Sequence, residues 1–126
     1  MSASQQIYVG SVISAPKGIF NHVGLVLCNG RVFHNNPTHG EHLSNLANFS
    51  KGAPVKVIDQ LPMAEIHKTH ARIKAMLRSP RSYHPINNNC EQSLHRAMGR
   101  PAKSPQLRGW STLGLVACLT YLVIQK

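Results

Sequence analysis

Residues 22–34, HVGLVLCNGRVFH, decide how the first half of this chain folds. Two runs rich in valine and leucine flank an Asn-Gly pair, and both runs are short enough to be single strands. Such runs on either side of Asn-Gly predict a β-hairpin. A histidine stands at each outer end of the stretch, so the register of the hairpin decides whether His22 and His34 meet.

That register depends on the length of the hairpin loop. A two-residue Asn-Gly loop would place His22 and His34 on opposite faces of the sheet. A three-residue loop that ends at a positive-φ Gly30 pairs Gly24 with His34, and both histidines then share a face as diagonal neighbours. We favour the longer loop because it leaves an entirely apolar set of residues on the other face. That set is Val23, Leu25 and Phe33.

Further strands are predicted on both sides of the hairpin. Residues 7–13 alternate loosely between apolar and polar side chains, which is typical of a strand, and residues 16–18 predict a turn. Residues 53–58 predict another strand, with Val55 and Val57 on one face. The N-terminal half therefore consists mainly of strands.

Two helices are predicted in the second half. Pro62 suits the first position of a helix that ends near Ser79. A second helix begins at Cys90, after three asparagines able to cap it, and ends at Gly99. We therefore expect an α+β domain with an antiparallel sheet and packed helices. The apolar stripe of the first helix is Met63, Ile66, His70, Ile73 and Leu77.

Cys90 is the strongest candidate nucleophile. It lies in residues 87–91, NNNCE, at the predicted helix start. The positive end of the helix dipole and the free backbone N–H groups there are expected to lower the thiol pKa and to hold an oxyanion. Cys28 in the hairpin loop and Cys118 in the apolar tail lack this setting and are expected to be bystanders. Because the three cysteines form no CxxC pair, no disulfide scaffold is expected.

The composition indicates one basic domain with an anionic partner. The chain has 126 residues, with 14 Lys and Arg against 4 Asp and Glu and a formal net charge of +10. This charge favours phospholipid or nucleic acid as the partner. Aromatic residues make up only 6% of the chain, which disfavours stacking on nucleic-acid bases. The basic residues that such a site would use, and that we expect to form a solvated face, are Lys68, Arg72, Lys74, Arg78 and Arg81.

The C-terminal segment, residues 109–126, is predicted to be a membrane anchor. It carries no charge from Gly109 to Gln125, and a helix of that length spans roughly 25 Å, near the lower limit for crossing a bilayer. A basic stretch, residues 100–108, precedes it, and Trp110 lies at its boundary. The N-terminal sequence lacks the pattern of a secretory signal, so we expect anchoring at the cytosolic face of a membrane. The alternative is a helix or strand buried in the domain core.

Together these residues resemble the lecithin:retinol acyltransferase-like family. The shared features are two histidines twelve residues apart in HVGLVLCNGRVFH, the later NNNCE, Tyr83 seven residues before Cys90, and Met98-Gly99 at the end of the helix. The HRAS-like suppressor phospholipases and acyltransferases are the most similar group. The resemblance implies a circularly permuted papain-like (NlpC-type) catalytic domain over residues 1–108, followed by a C-terminal hydrophobic helix.

The resemblance also implies a role for each candidate site residue. Cys90 is the nucleophile that attacks an ester or amide carbonyl, His22 is the general base, and His34 orients His22 and stabilises its charged form. It implies a phospholipid or another acyl-bearing lipid as substrate, with no cofactor and no metal. The departures from the family are Gln92-Ser93, where His-Phe is usual, and Val23, where an aromatic residue is usual.

Other functions would use the same residues. A cysteine peptidase or amidase of the NlpC type would have the same thiol mechanism, and a non-catalytic interaction module could keep the same two motifs. A zinc site would use ordinary zinc ligands, although no fourth ligand has convincing spacing. Retention of all three catalytic positions favours the enzyme. The zinc ligands would be His22, His34 and Cys90, with His39 or His42.

Overall fold

The computed structural model describes residues 6–100, which form an α+β domain. The strands in this range are β1 (Ser11–Lys17), β2 (Phe20–Val26), β3 (Val32–Asn36), β4 (Gly40–Ser44) and β5 (Lys56–Gln60). The helices are α1 (Leu46–Ser50), α2 (Met63–Arg78) and α3 (Cys90–Ala97). The strands form one antiparallel sheet in the order β4-β3-β2-β1-β5. The predicted antiparallel sheet with packed helices is confirmed.

The β2–β3 hairpin has the longer of the two loops considered. Gly24 pairs with His34 across the strands, and the N–H of Leu27 donates to the carbonyl of Arg31 at 2.8 Å, which leaves three residues in the loop. The last of these, Gly30, has a φ of 79°, a value that costs a glycine little. The predicted register, with both histidines on one face, is confirmed.

The two faces of the sheet bury separate apolar clusters. On the helix face, which α2 and α3 cover, Leu25 and Phe33 pack with Ile73 and Leu94. On the opposite face, the α1 face, Phe49 packs against residues of the strands. All three apolar hairpin residues named above belong to the helix face, as their alternation along the strands predicts.

β1 begins later and ends later than predicted. Instead of continuing a strand from residue 7, the chain turns at Gly10, which has a φ of 86°. The strand then runs through Pro16 and Lys17, so the turn predicted at residues 16–18 begins only at Gly18. Pro16 is tolerated because β5 pairs with β1 only as far as Ser14, which leaves the proline with a strand neighbour on one side.

β5 is an edge strand that also begins later than predicted. Val57 and the preceding Val55 both pack against the α1-face cluster, which confirms that they share a face. A β-bulge in β5, at Ile58, shifts the register of the β1–β5 pairing between Val12 and Ile13. The exposed residues of β5 include Lys56 and Asp59, so its outer edge carries both a positive and a negative charge.

β4 and α1 have no counterpart among the predicted elements. β4 is five residues long and mostly polar, so it lacks the alternation from which strands are recognised. α1 is also five residues long, too short for a helical period to show. The one sequence feature that could have indicated α1 is its N-cap residue, Asn45. Its side chain accepts a hydrogen bond from the N–H of Asn48 at 2.7 Å.

α2 follows the prediction except at its first residue. The helix begins directly after Pro62, and Ile73 in its middle is only 2% exposed. Ile66 and Leu77 pack against the same cluster. Met63 is 86% exposed, so the prediction that it joins the apolar stripe is wrong. The first turn of α2 extends beyond the cluster that the middle of the helix covers.

α3 begins and ends where the sequence predicts. Asn89 is its N-cap and forms a capping box, in which its side chain accepts from the N–H of Gln92 and its own N–H donates to the Gln92 side chain, both at 2.9 Å. The helix is followed by Gly99 with a φ of 71°. Cys90 is therefore fixed as the first residue of a firmly capped helix.

The predicted membrane segment, residues 109–126, lies outside the residues that the structure describes, as do the boundary at residue 108 and Cys118. Between residues 6 and 100, no helix is both long enough and apolar enough to cross a bilayer.

Candidate active site

His22 and His34 form a direct hydrogen bond. Their Nε2 and Nδ1 atoms, respectively, are 2.8 Å apart, and the two residues are only 2% and 3% exposed. The other ring nitrogen of His34, Nε2, lies 2.6 Å from the Oγ atom of Ser44. The pairing of Gly24 with His34 makes this contact possible. His22 lies two residues from Gly24 on β2, so its side chain is on the same face as His34 and is its diagonal neighbour.

The hydrogen bonds around Ser44 assign the tautomers of both histidines. The Ser44 hydroxyl donates to the carbonyl of Asn45 at 3.2 Å, so its oxygen accepts from the Nε2–H of His34. In a neutral imidazole the other nitrogen is then an acceptor, so Nδ1 of His34 accepts from the Nε2–H of His22. This leaves the lone pair of His22 on Nδ1, which makes that atom the available base.

Phe49 fixes the two rings from the α1 face. Its ring stacks on His22, with centroids 4.9 Å apart, and meets His34 edge-on with centroids 5.3 Å apart. Gly24 makes room for it, because a Cβ atom there would lie 2.8 Å from Cε1 of Phe49. Neither Ser44 nor Phe49 was identified from the sequence, since both belong to elements that were not predicted.

Burial keeps both histidines neutral. It lowers the pKa of His22 well below the ordinary value, and repulsion from His34 in its protonated form and from Lys17 acts in the same direction. Burial likewise lowers the pKa of His34 to about 3, with repulsion from His42 and Lys17 as lesser causes. At neutral pH the pair is therefore an uncharged donor and acceptor, as the tautomer assignment requires.

These shifts predict that the domain loses stability in acid. The unfolded chain protonates its histidines near pH 6.5 whereas the folded chain does not, so the free energy of unfolding falls as the pH drops from about 6.5 toward about 3. For each of His22 and His34 the slope is about 1.4 kcal/mol per pH unit. Denaturant unfolding of the full chain between pH 7.5 and pH 5 measures this slope. We expect His34→Gln to reduce it, whereas the exposed His67→Gln should not; equal slopes in both variants would contradict the assignment.

Cys90 lies beside the short segment of β2 that carries His22. Its Sγ atom is 4.0 Å from the carbonyl oxygen of Asn21 and takes a backbone hydrogen bond from Val23, the residues on either side of His22. The other cysteine in the described range, Cys28, is exposed in the hairpin loop, beyond the opposite end of β2. The structure therefore places Cys90 against the β2 backbone that carries His22, places His34 against the ring of His22, and leaves Cys28 away from all three.

The thiol of Cys90 does not have the lowered pKa that its place at a helix start predicts. Burial raises the pKa to about 11, and hydrogen bonds from the backbone of Val23 and Glu91 oppose this only in part. Cys90 is only 7% exposed and belongs to the apolar helix-face cluster. Desolvation of the thiolate therefore outweighs the helix dipole. The prediction of a lowered thiol pKa is therefore wrong, because burial raises it.

A cleft on the side of β4 opens onto His34. It has a volume of about 410 Å³ and reaches His34. His42 lies along it, with its ring centroid 4.2 Å from that of His34 and its Nδ1–H donating to the carbonyl of Gly40 at 2.7 Å. Its other lining residues include His39 and Lys51, so its walls are polar and basic.

A buried polar network holds the start of α3 against the sheet. The Glu41 side chain is only 1% exposed; it pairs with Arg96 and accepts a hydrogen bond from Ser93 at 2.7 Å. The Asn35 side chain donates to Ser93 at 2.9 Å and to the carbonyl of Asn88 at 2.7 Å. The sequence analysis did not identify this network, because its members come from four separate segments.

The zinc hypothesis gains no support from the described residues. Within residues 6–100, no three His, Cys, Asp or Glu side chains are grouped as they would be to hold a metal ion. The facing nitrogens of His22 and His34 instead bond to each other.

No protein-family model matches this chain, and no curated protein matches it. Its function is therefore inferred from the residues of the site and from the resemblance of their motifs.

Proposed function

We propose that this protein is a thiol-dependent lipid acyl hydrolase or acyltransferase that works through a thioester on Cys90. The observation that carries the proposal is the hydrogen-bonded series His22, His34 and Ser44, which leaves a lone pair on Nδ1 of His22. The thiol of Cys90 contacts the β2 backbone on either side of that histidine. A base held by a second group next to a candidate nucleophile is the arrangement that covalent acyl transfer needs.

In the first half of the reaction, Sγ of Cys90 attacks the acyl carbonyl carbon while its proton passes to Nδ1 of His22. The tetrahedral intermediate then collapses, the carbon–oxygen bond to the leaving alcohol breaks, and His22 returns the proton to that oxygen. The imidazolium that forms meanwhile is stabilised by the hydrogen bond from its Nε2–H to His34. The N–H groups at the α3 N-terminus are the candidate donors to the oxyanion.

In the second half, an acceptor attacks the thioester. His22 removes a proton from water, an alcohol or an amine, the new bond forms at the carbonyl carbon, and the proton passes to the departing sulfur of Cys90. Because the resting thiol is protonated and the histidine is neutral, proton transfer accompanies each attack instead of preceding it.

The proposal includes a papain-like catalytic domain in its circularly permuted form over residues 1–108 and a membrane anchor at residues 109–126. Its support is the motif order, with both histidines before the cysteine, and the uncharged C-terminal run preceded by a basic stretch. Such an anchor would hold the site at the surface from which a phospholipid is drawn, and the net charge of +10 favours an anionic surface.

Intact-mass spectrometry tests the proposal directly. Full-length protein in nonionic detergent is incubated briefly with mixed-chain phospholipids. The wild type and Cys28→Ala should each gain the mass of a fatty acyl group, whereas Cys90→Ala should not. An adduct that survives in Cys90→Ala would overturn the nucleophile assignment. Absence of both an adduct and hydrolysed lipid would reject lipid acyl transfer, in favour of a peptidase or an interaction module.

A further inference from the structure

A second cavity, separate from the candidate active site, is lined by arginines from three parts of the chain. It has a volume of about 450 Å³ and lies between α2, the connection that follows it, and α3. Arg72 comes from α2, Arg81 from the connection and Arg96 from α3, while Glu41 is the only acidic residue in the lining. Three guanidinium groups and one carboxylate leave a surplus of two positive charges.

Glu41 neutralises only one of these arginines. One of its carboxylate oxygens accepts a hydrogen bond from the backbone N–H of Arg81 at 3.0 Å. The other accepts from the hydroxyl of Ser93 and forms the ion pair with Arg96. The carboxylate is thus fully engaged, and the guanidinium groups of Arg72 and Arg81 form no ion pair with any residue between positions 6 and 100.

The guanidinium of Arg72 is packed against the protein, and one of its N–H groups has no hydrogen-bond acceptor. Its guanidinium lies against the backbone of Gly99, where a Cβ atom would come within 2.6 Å of Cζ. The Nη1 atom is buried and has no hydrogen-bond partner among the described residues. A buried donor of a charged group costs free energy unless an acceptor meets it. This position corrects the prediction that Arg72 belongs to a solvated helix face.

No other side chain of the protein can supply the missing negative charge. The chain has only four acidic residues, and residues 1–5 and 101–126 contain none of them. Apart from the engaged Glu41, two of the four form surface ion pairs, Asp59 with Arg100 and Glu65 with Lys68. The remaining one, Glu91, stands at the start of α3 and does not line the cavity. No acidic side chain of residues 1–126 is therefore left to neutralise this cavity.

We propose that the arginine cavity binds a phosphate monoester through Arg72 and Arg81. Guanidinium groups bind phosphate oxygens in a bidentate manner, with geometry that a single ammonium does not offer. A phosphate monoester carries a charge of about −1.5 to −2 at neutral pH, which matches the surplus of two positive charges. The group could be that of a soluble metabolite or that of a lipid headgroup, and the cavity would recognise either by the same chemistry.

Calorimetric titration of the full chain in nonionic detergent, at constant ionic strength, tests this site with inorganic phosphate as the first probe. Arg72→Gln should weaken phosphate binding by about tenfold or more. Arg78→Gln, which removes an exposed arginine from the same helix, should change it by less than about twofold. Absence of binding up to about 10 mM phosphate, or an equal loss in both variants, would overturn the proposal. Retention of the wild-type melting temperature by Arg72→Gln excludes misfolding as the cause.

Two further probes then identify the source of the phosphate. Glycerol 3-phosphate represents a soluble ester, and a short-chain phosphatidic acid represents a lipid headgroup. Tighter binding of glycerol 3-phosphate than of inorganic phosphate, again lost in Arg72→Gln, supports a soluble ligand. Tighter binding of the lipid alone, with the same loss, supports a headgroup. Because neither titration depends on Cys90, the site can be tested independently of the proposed catalytic function.

Discussion

Acyl-enzyme formation is expected to fall by about a thousandfold or more when His22 is replaced by alanine. The reason is the state of the thiol: with a pKa of about 11, only on the order of one Cys90 in ten thousand is a thiolate at pH 7. Without Nδ1 of His22, the proton of the thiol has no side-chain acceptor in the proposed mechanism. Rapid-quench measurement of the acylated protein gives the rate directly.

Two comparisons make this prediction specific. His67→Ala removes an exposed histidine from α2 and should leave the rate of acylation unchanged. His34→Asn keeps an acceptor near the position of Nδ1, so it should retain more activity than His34→Leu, which leaves the Nε2–H of His22 unpaired. If His22→Ala acylates at the wild-type rate, or if Asn and Leu at position 34 are equivalent, the assigned proton path is wrong.

Glu41→Ala is expected to lower the free energy of unfolding by about 3–5 kcal/mol. The substitution leaves Arg96, whose side chain is only 22% exposed, without its carboxylate, and it removes the acceptor of Ser93 and of the Arg81 backbone. Since α3 begins with Cys90, the loss should also loosen the nucleophile. Urea unfolding of the full chain in nonionic detergent measures the change.

Asp59→Ala is the matched control for Glu41. Asp59 also pairs with an arginine, Arg100, but the two side chains are 51% and 43% exposed. Solvent screens such a pair, so its removal should cost no more than about 1 kcal/mol. Equal costs for Glu41→Ala and Asp59→Ala would show that the buried network contributes no more to stability than a surface ion pair.

What could be predicted from the sequence was local in origin. The hairpin register followed from Gly30 and from the way side chains alternate between the two sheet faces on each side of it. The start of α3 followed from the capping asparagines. What could not be predicted depends on contacts between distant segments. Phe49 reaches His22 only because the unpredicted α1 folds back onto the sheet, and Glu41 meets Arg96 across more than fifty residues.

The pKa of the Cys90 thiol shows how burial in the tertiary structure can outweigh a local effect of the helix start. The helix start at Cys90 was identified correctly, and a helix start by itself lowers a thiol pKa. Burial is set by the tertiary structure, and here it places the thiol in the same apolar cluster as Val23 and Leu94. Only the folded structure shows that burial exceeds the helix dipole.

Two of the three departures from the motifs that the chain resembles, Gln92 and Ser93, have a structural explanation. Gln92 completes the capping box with Asn89, and Ser93 bridges Asn35 and Glu41 in the buried network. Both side chains are therefore engaged in holding α3. By the resemblance these positions are only differences beside the site, whereas the structure gives each a stabilising contact.

The outer edge of β5 affects how readily two molecules of this protein aggregate. An unpaired strand edge is a template on which a second molecule can add its own strand. Here Lys56 and Asp59 place opposite charges along that edge, and the bulge at Ile58 disrupts the regular spacing of its backbone groups. These features oppose the addition of a strand from a second molecule and so disfavour aggregation through this edge.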